Sequence, residues 1–293
     1  NGKFIVPAFV NIIVAANAGG AWSPFGDITT LMVWTSGKVE TLQFSYLVLP
    51  SIVNWIIPAT IMYFFVPDEH PEPDKEEFEM KPGAKVIIGL GIFTIATAVS
   101  FHQFLHLPPF LGMMFGLGLL MMMGWYLKRW GEQKHLVKMG IPDERRDRPR
   151  FDIFRKVEGV EFDTLLFFFG VLTAVGALQY IGYLALASES MYGTLGPTYS
   201  NIIVGLLSAI VDNIPVMYAV LKMSPEMGLD QWLLVTLTAG VGGSLLSVGS
   251  AAGVAVMGVD REHYSFLSHL KWAPVIALGY VASIICWYFV TPH

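Results

Sequence analysis

The sequence predicts an all-α integral membrane protein in which some of the transmembrane helices are broken. The first observation behind this prediction is the composition: 54% of the 293 residues are hydrophobic and only 14% are charged, whereas soluble domains carry about 25% charged residues. The second is the distribution of the charges, which are concentrated in residues 67–83 and 128–161. The third is that the apolar runs outside these two stretches approach the ~20 residues that a spanning helix needs.

Eight apolar segments are predicted, and three of them contain helix-breaking residues. The first segment is interrupted near residues 17–26, the sixth at 211–215 and the seventh at 240–250. Broken backbone inside a bilayer is tolerated only where it packs against protein or lines a cavity, so these breaks are candidates for function. The sixth segment is predicted to be a re-entrant hairpin and the seventh a broken helix. The predicted segments are 4–36, 44–66, 84–101, 109–127, 162–187, 199–223, 231–258 and 264–290.

Two charged linkers divide the chain into three predicted parts, residues 1–66, 67–161 and 162–293. The first part holds a broken helix and the following span, the second holds two spans, and the third holds the hairpin and the second broken helix. The linker at 128–161 contains ten of the eighteen lysines and arginines. By the positive-inside rule, this linker is expected to be cytoplasmic.

Two of the breaks resemble each other, which indicates an internal repeat. Residues 16–20, followed by Gly26, align with residues 239–243, followed by Gly249, at a constant offset of 223. If the hairpin re-enters the membrane, the two copies cross it in opposite directions, as in transporters built from inverted repeats; if it spans the membrane, the copies are parallel. The re-entrant alternative is favoured, because residues 211–215 combine turn-forming side chains with a proline that lacks a backbone donor.

The repeat partner of the hairpin would lie before Asn1. The chain is therefore expected to lack the N-terminal part of the first repeat, which is either cut away or carried as a separate chain. The alternative is an asymmetric protein with a single copy. The predicted fold class is thus an inverted-repeat transporter with a re-entrant hairpin and broken transmembrane helices.

Three acidic residues lie within or beside the apolar segments, where ionisable side chains are costly and mark candidate functional sites. Asp27 precedes the second half of the first broken helix, where it is a helix N-cap, an ion ligand or both. Asp212 lies at the hairpin turn, where it is a turn residue without a ligand or part of a site. Asp163 begins the fifth segment, where capping and the helix dipole are sufficient explanations.

Hydroxyl side chains are the other candidate ligands, because a hard cation such as Na⁺ prefers oxygen. Each of them alone is also explained by the close packing of membrane helices. That explanation is weaker for Ser247 and Ser250, which flank Gly249 within a break. Four histidines at segment ends, His269 among them, are interpreted as interfacial, and the single cysteine excludes an internal disulfide. The candidate hydroxyls are Thr29, Thr164, Ser208, Ser247 and Ser250.

Three motifs make the sequence resemble the NhaD-type sodium/proton antiporters. This family belongs to the ion transporter superfamily, which also includes dicarboxylate and arsenite carriers. The resemblance covers essentially the whole chain. The motifs are Ala-Asn-Ala-Gly-Gly-Ala-Trp-Ser-Pro-Phe-Gly-Asp-Ile-Thr-Thr at 16–30, Ser-Ala-Ile-Val-Asp-Asn-Ile-Pro-Val at 208–216 and Gly-Gly-Ser-Leu-Leu-Ser-Val-Gly-Ser-Ala-Ala-Gly at 242–253.

The resemblance implies two inverted repeats, each with a hairpin and a broken helix, and a scaffold that often dimerises. It also implies a role in transport for polar residues at matching positions. Asp163 is therefore interpreted as a site residue and not only as a helix cap. Asn17 is a secondary candidate. Na⁺ is expected at Asp27, Asp212, Ser247 and Ser250. The positions implied by the resemblance are Asp27, Thr29, Asp163, Thr164, Ser208, Asp212, Asn213, Ser247 and Ser250.

The resulting hypothesis is an antiporter in which Na⁺ or Li⁺ competes with H⁺ for buried carboxylates, with no cofactor. One alternative is a superfamily anion carrier for dicarboxylate or arsenite. Such carriers typically use a Ser-Asn-Thr signature, whereas Asp212 stands at this hairpin tip, and an acid favours a cation over a dianion. A remote alternative is an intramembrane aspartyl protease using Asp27 and Asp163. The expected setting is a bacterial inner membrane, with lipid and a second copy of the chain as partners and no nucleic acid.

Overall fold

The computed structural model describes residues 2–67, 83–127, 162–260 and 262–292. These four ranges are helical and contain no β-strand. Most of the acidic linker and all of the basic linker at 128–161 lie outside the described residues, so the predicted side of the membrane stays a prediction. The helices are α1 Gly2–Gly20, α2 Ile28–Thr35, α3 Val48–Tyr63, α4 Ala84–Leu105, α5 Pro109–Tyr126, α6 Phe162–Tyr180, α7 Tyr183–Ser188, α8 Pro197–Ser208, α9 Asn213–Met223, α10 Leu229–Gly242, α11 Ala251–Val259, α12 Phe266–Leu270 and α13 Ala273–Val290.

Four helical segments of the described chain are long and apolar enough to cross a bilayer. They are Thr41–Tyr63, which includes a 3₁₀ turn before α3, and the helices α4, α5 and α13. Large apolar side chains are exposed along them, such as Ile92 at 66% and Phe289 at 79%. A soluble protein rarely exposes so much contiguous apolar surface. The chain is therefore a multi-pass membrane protein.

The helix bends within the predicted span at 162–187, a feature that the sequence analysis did not predict. α6 ends at Tyr180, and the helical segment Tyr183–Gly193 leaves at 82° to it. Gly182 lies between them with a φ of +89°. A residue with a side chain rarely adopts this left-handed conformation, whereas glycine does so freely and commonly ends a helix.

The chain forms two compact units, residues 1–70 with 166–293, and residues 71–165. In the second unit, α4 and α5 pack closely through glycine. A Cβ added at Gly112 would lie 2.6 Å from the Cα of Ala98. Small residues of this kind let membrane helices approach one another. The predicted three-part division of the chain is not tested by this arrangement.

The core of the first unit is α10, whose residues from Trp232 to Gly242 are all buried. α8 packs along it so closely that a Cβ at Gly242 would overlap the carbonyl of Gly205. Thr238 Oγ1 donates a 2.8 Å hydrogen bond to the carbonyl oxygen of Asn201 across this contact. α8 is therefore fixed to α10. We call α8, α9 and the turn between them the hairpin.

α3 and α13 form a second close helix pair in the first unit. A Cβ at Gly279 would lie 2.5 Å from the carbonyl oxygen of Asn54 and 2.9 Å from the ring of Pro58. Because Pro58 has no N–H, it cannot donate to that carbonyl. The side chains of Ser51 and Asn54 are buried on the same helix, and their polar atoms have no partner among the described residues.

All three predicted breaks are present. α1 and α2 are separated by residues 21–27, α8 and α9 by 209–212, and α10 and α11 by 243–250. α8 and α9 have only 12 and 11 residues, so neither is long enough to cross a bilayer alone.

The first and third breaks share their local geometry at positions 223 residues apart. Asp27 and Ser250 are the N-caps of α2 and α11, with φ, ψ values of −145°, 160° and −150°, 152°. A Cβ at Gly20 would lie 3.2 Å from the Cβ of Asp27, and a Cβ at Gly243 would lie 3.2 Å from the Cβ of Ser250. The sequence match between the two segments therefore corresponds to a match in backbone conformation.

We expect Gly279→Ala to lower the thermal unfolding midpoint of the detergent-solubilised protein, because its methyl group must push α3 and α13 apart. Overpacking of this kind costs about 1–3 kcal/mol. Gly176→Ala is the matched control, since Gly176 lies inside α6 with nothing within 4 Å of an added Cβ. That substitution should be neutral or stabilising by up to about 1 kcal/mol. A midpoint for Gly279→Ala at or above that of the control contradicts the packing argument.

Candidate ion-binding site

Asp27 uses its two carboxylate oxygens differently. Oδ1 accepts a 2.7 Å hydrogen bond from the backbone amide of Ile28, at the start of α2. Oδ2 accepts from the hydroxyl of Thr29 at 2.7 Å and from the side-chain amide of Asn213 at 3.0 Å. Asp27 therefore caps its own helix and also binds the hairpin. The two interpretations that the sequence left open, capping and membership of a site, are compatible.

The cap of α2 has a second member that the sequence analysis missed. Thr30 is buried, and its hydroxyl oxygen accepts from the backbone amide of Asp27 at 3.2 Å. A residue three positions after an N-cap commonly completes such a reciprocal capping box. This local spacing was a usable signal in the sequence.

The hairpin tip lies between the ends of α8 and α9. Asp212 is the N-cap of α9 and accepts from the backbone amide of Ile214 at 3.4 Å. It lies near enough to Asp27 for the two negative charges to repel each other. Ser208, the last residue of α8, is buried and donates a 2.7 Å hydrogen bond to the carbonyl oxygen of Ala239. The hairpin tip thus places one acid close to another and anchors itself to α10.

The break between α10 and α11 contributes two hydroxyls. Ser250 is 3% exposed and caps α11, because its Oγ accepts from the amide of Gly253 at 3.3 Å. The same Oγ accepts from the side-chain amide of Asn17, on α1, at 3.0 Å. Ser247 is fully buried, and its Oγ has no hydrogen-bond partner among the described residues. A buried hydroxyl without a partner is costly, so Ser247 is the serine of this break whose hydroxyl could best accept a ligand.

The three breaks touch one another in pairs. Asn213 and Asp27 join the hairpin tip to the first break. Asn17, just before the first break, joins α1 to Ser250 in the third. A Cβ at Gly249 would lie 2.7 Å from the carbonyl oxygens of Ser208 and Ala209, so the third break packs against the hairpin tip. We call the meeting point of the three breaks the junction.

Most of the predicted site residues lie at the junction. Asp27 and Asp212 are half-buried, whereas Asn213, Ser247 and Ser250 are buried. Among the described residues, no three His, Cys, Asp or Glu side chains are grouped as they are around a bound metal. A cation held here would therefore need hydroxyl, amide or backbone oxygens beside the acids. The predicted residues that form the junction are Asn17, Asp27, Thr29, Ser208, Asp212, Asn213, Ser247 and Ser250.

The contacts that define the junction include neither Asp163 nor Thr164. Asp163 has an exposed side chain in the first turn of α6, and it belongs to the unit of residues 71–165. The backbone of Thr164 is helical, but its side chain is outside what the structure describes. Their role in ion binding stays a prediction.

His269 is one of the histidines at segment ends that the sequence analysis interpreted as interfacial. Within the protein it is fully buried, and both ring nitrogens have partners: Nε2 lies 2.9 Å from the carbonyl oxygen of Ser244, and Nδ1 lies 2.5 Å from the hydroxyl of Tyr264. Ser244 is within the third break. Its contact with His269 joins residues 25 positions apart, and nothing local in the sequence signals it.

Interrupted helices that meet at buried polar groups inside a multi-pass membrane protein are typical of secondary transporters. Comparison with known proteins agrees with this class. The chain is 52% identical to the Na⁺/H⁺ antiporter NhaD of Vibrio parahaemolyticus, over 98% of this chain and 72% of that protein. The chain therefore belongs to the NhaD family of sodium/proton antiporters.

Further relatives agree at lower coverage of their own length. The NhaD antiporter of Vibrio cholerae serotype O1 is 53% identical over 97% of this chain, and that of Alkalimonas amylolytica is 52% identical over 96%. The chain spans 62% and 60% of the length of these two relatives. A sodium/proton antiporter of Arabidopsis thaliana is 31% identical.

A profile described as citrate transporter matches residues 149–242, which is less than half of the chain. No solved structure matches the chain. The names of the relatives do not favour the aspartyl-protease alternative.

We expect Thr29→Val to lower the thermal unfolding midpoint, because it removes the hydroxyl that donates to Asp27 Oδ2 while keeping the side-chain shape. Hydrogen bonds to charged groups contribute about 1.5–3 kcal/mol. The matched control is Thr35→Val at the other end of α2, where the hydroxyl is exposed and donates only to the carbonyl of Met32. The control should stay within about 0.5 kcal/mol of wild type. Equal midpoints for the two variants would contradict the proposed support of Asp27.

Proposed function

We propose that this chain carries the ion-binding junction of a secondary transporter that exchanges Na⁺ or Li⁺ for H⁺. The observation that carries the proposal is the contact of the three helix breaks with one another, in which Asp27 is bonded to Asn213, the neighbour of Asp212, and the charges of the two acids act on each other. In this mechanism a proton and a sodium ion occupy the same carboxylate oxygens at different times. Because burial disfavours an uncompensated charge, the empty site is expected to hold a proton that an arriving Na⁺ displaces.

The ligands that we assign to Na⁺ are the acids of the first break and the hairpin together with the hydroxyls of the third break. Asp27 Oδ2, the Asp212 carboxylate and the unpartnered Ser247 Oγ supply oxygen, which a hard cation prefers. Ser250 is already bound by Asn17 and Gly253, so we assign it a supporting position. Asp163 and Thr164 are retained as candidates from the resemblance alone.

The second candidate function is anion transport, which the citrate transporter profile favours. The helix ends at the junction provide a physical argument that distinguishes cation transport from anion transport. α2, α9 and α11 begin there, and the partial positive charge of a helix N-terminus attracts anions. In this chain Asp27 and Asp212 cap two of these ends. Their negative charges would repel a dianion such as a dicarboxylate, so we favour a cation.

The arrangement in the membrane follows from the same proposal. The matching geometry of the first and third breaks supports two copies of one unit, which we propose to be inverted, with α8 and α9 as a re-entrant hairpin. We further propose a bacterial inner-membrane protein with the 128–161 linker in the cytoplasm, surrounded by lipid and paired with a second copy of the chain. The antiport requires no cofactor in this proposal.

We expect Asp27→Asn and Asp212→Asn to reduce Na⁺-driven exchange at least roughly tenfold, because each removes a charge that the bound cation needs; a tenfold change corresponds to about 1.4 kcal/mol. The measurement is the collapse of a pH gradient on addition of Na⁺ or Li⁺ to vesicles that contain the full-length protein. Glu226→Gln, an exposed acid between α9 and α10, is the matched control and should retain wild-type exchange. Unchanged exchange in both aspartate variants would remove the basis of the proposal.

The same vesicles decide between the two candidate functions. Cation exchange predicts that Na⁺ or Li⁺ changes the pH gradient without added carboxylate, and that radiolabelled citrate or succinate is not accumulated. Anion transport predicts that an imposed ion gradient drives the accumulation of the carboxylate in the vesicles. It also predicts that Asp212→Asn improves this accumulation by removing a repulsive charge.

A further inference from the structure

The unwound segment between α10 and α11, residues 243–250, is held mainly by its own short turns. The amide of Leu245 donates to the carbonyl of Gly242 at 3.0 Å, and the amide of Gly249 donates to the carbonyl of Leu246 at 3.1 Å. The Ser244 hydroxyl donates to the carbonyl of Val241 at 2.6 Å. Bonds of this kind fix local bends, but they do not fix the segment relative to the rest of the protein.

Side chains from other helices supply that fixation at three points. Ser208 on α8 binds the carbonyl of Ala239 just before the segment, and Asn17 on α1 binds Ser250 at its end. The third point is near the start of the segment, where His269 on α12 binds the carbonyl of Ser244, its second residue. Ser208 and Asn17 already belong to the junction. His269 is the anchor that lies outside it.

The partners of the two ring nitrogens of His269 define one tautomer of the uncharged ring. A carbonyl oxygen can only accept, so the 2.9 Å contact with Ser244 requires a hydrogen on Nε2. In the uncharged ring Nδ1 is then an acceptor, and the Tyr264 hydroxyl donates to it at 2.5 Å. Tyr264 is 2% exposed, and Phe9 of α1 packs edge-on against its ring at 5.5 Å. The imidazole is therefore fixed in both tautomer and orientation.

We propose that His269 is a positioning residue for the ion site. Uncharged, with its hydrogen on Nε2, it holds the Ser244 carbonyl and thereby fixes the unwound segment that carries Ser247 and Ser250. Without this bond the carbonyl of Ser244 is left buried and unpaired, and the segment must be ordered anew each time that an ion binds. Loss of the anchor therefore weakens Na⁺ binding more than it slows the transport of bound Na⁺.

The reach of the side chain provides a sharp test. In His269→Gln the amide nitrogen takes the place of Nε2 and can still donate to Ser244. In His269→Asn the same amide ends one carbon earlier, near the place of Nδ1, and cannot reach. His269→Leu removes the donor altogether. His263→Gln is the control for an exposed histidine, whose partner is Asp260 rather than the break.

Two measurements on the full-length protein are required. The first is the Na⁺ concentration at half-maximal exchange, together with the maximal rate. We expect His269→Asn and His269→Leu to raise that concentration roughly tenfold, the effect of losing a hydrogen bond to a buried group, with the maximal rate changed less than about threefold. His269→Gln and the His263 control should stay within about threefold of wild type.

The second measurement is amide hydrogen exchange of peptides that cover residues 243–250, in detergent and without Na⁺. We expect faster exchange in His269→Asn and His269→Leu, and wild-type protection in His269→Gln and in the control. Local loss of protection reports local opening, and it does not depend on transport.

The transport measurement for His269 rests on the proposed function, but the outcomes distinguish a failure of the inference from a failure of that function. If wild-type vesicles show no Na⁺-driven exchange, the proposed function fails, and the hydrogen exchange alone decides whether His269 fixes the segment. If the Asn and Leu variants show wild-type protection, or if His269→Gln is as impaired as His269→Leu, the positioning role is wrong. Recovery by Gln but not by Asn, in both measurements, supports it.

Discussion

The structure depends on satisfying the backbone polar groups that helix breaks expose. In a continuous helix every interior amide and carbonyl has a partner, whereas each end leaves several without one. Water is scarce inside a bilayer, so protein groups must replace it. Here Asp27, Asp212 and Ser250 satisfy amides at the starts of α2, α9 and α11. Ser208 and His269 satisfy carbonyls on the α10 side of the third break.

This requirement explains why the candidate ligands are also caps. An N-cap side chain is held in an extended backbone conformation with one oxygen directed at its own helix. A carboxylate has a second oxygen, and in Asp27 that oxygen faces the hairpin. A serine hydroxyl has only one, and in Ser250 it is shared between a backbone amide and Asn17. An acid at a cap thus keeps acceptor capacity for an ion, whereas a capping serine has little left.

The sequence predicted the breaks because their causes are local. Glycine, proline and the turn-forming Asp212 interrupt helices through their own backbone preferences, and caps occur at fixed offsets from the helix start. The bend at Gly182 was missed because a single glycine in an apolar run is compatible with a straight helix until its φ is known. Contacts such as Asn17–Ser250, which joins residues 233 positions apart, depend on tertiary packing. The burial of His269 was missed for the same reason.

The charge at the junction follows from the combination of caps and helix ends. Three helix starts meeting at one point would by themselves form an anion site, as they do where phosphate or carboxylate ligands bind helix N-termini. Two aspartates at these starts carry a full negative charge each when ionised, against roughly half a positive charge for each helix end. Two charges of −1 therefore exceed three ends of about +0.5, and the excess is negative. With one bound cation or one proton the sum changes from about −0.5 to about +0.5, and with two it reaches about +1.5. In the proposed mechanism, the binding of a proton therefore opposes the binding of a sodium ion.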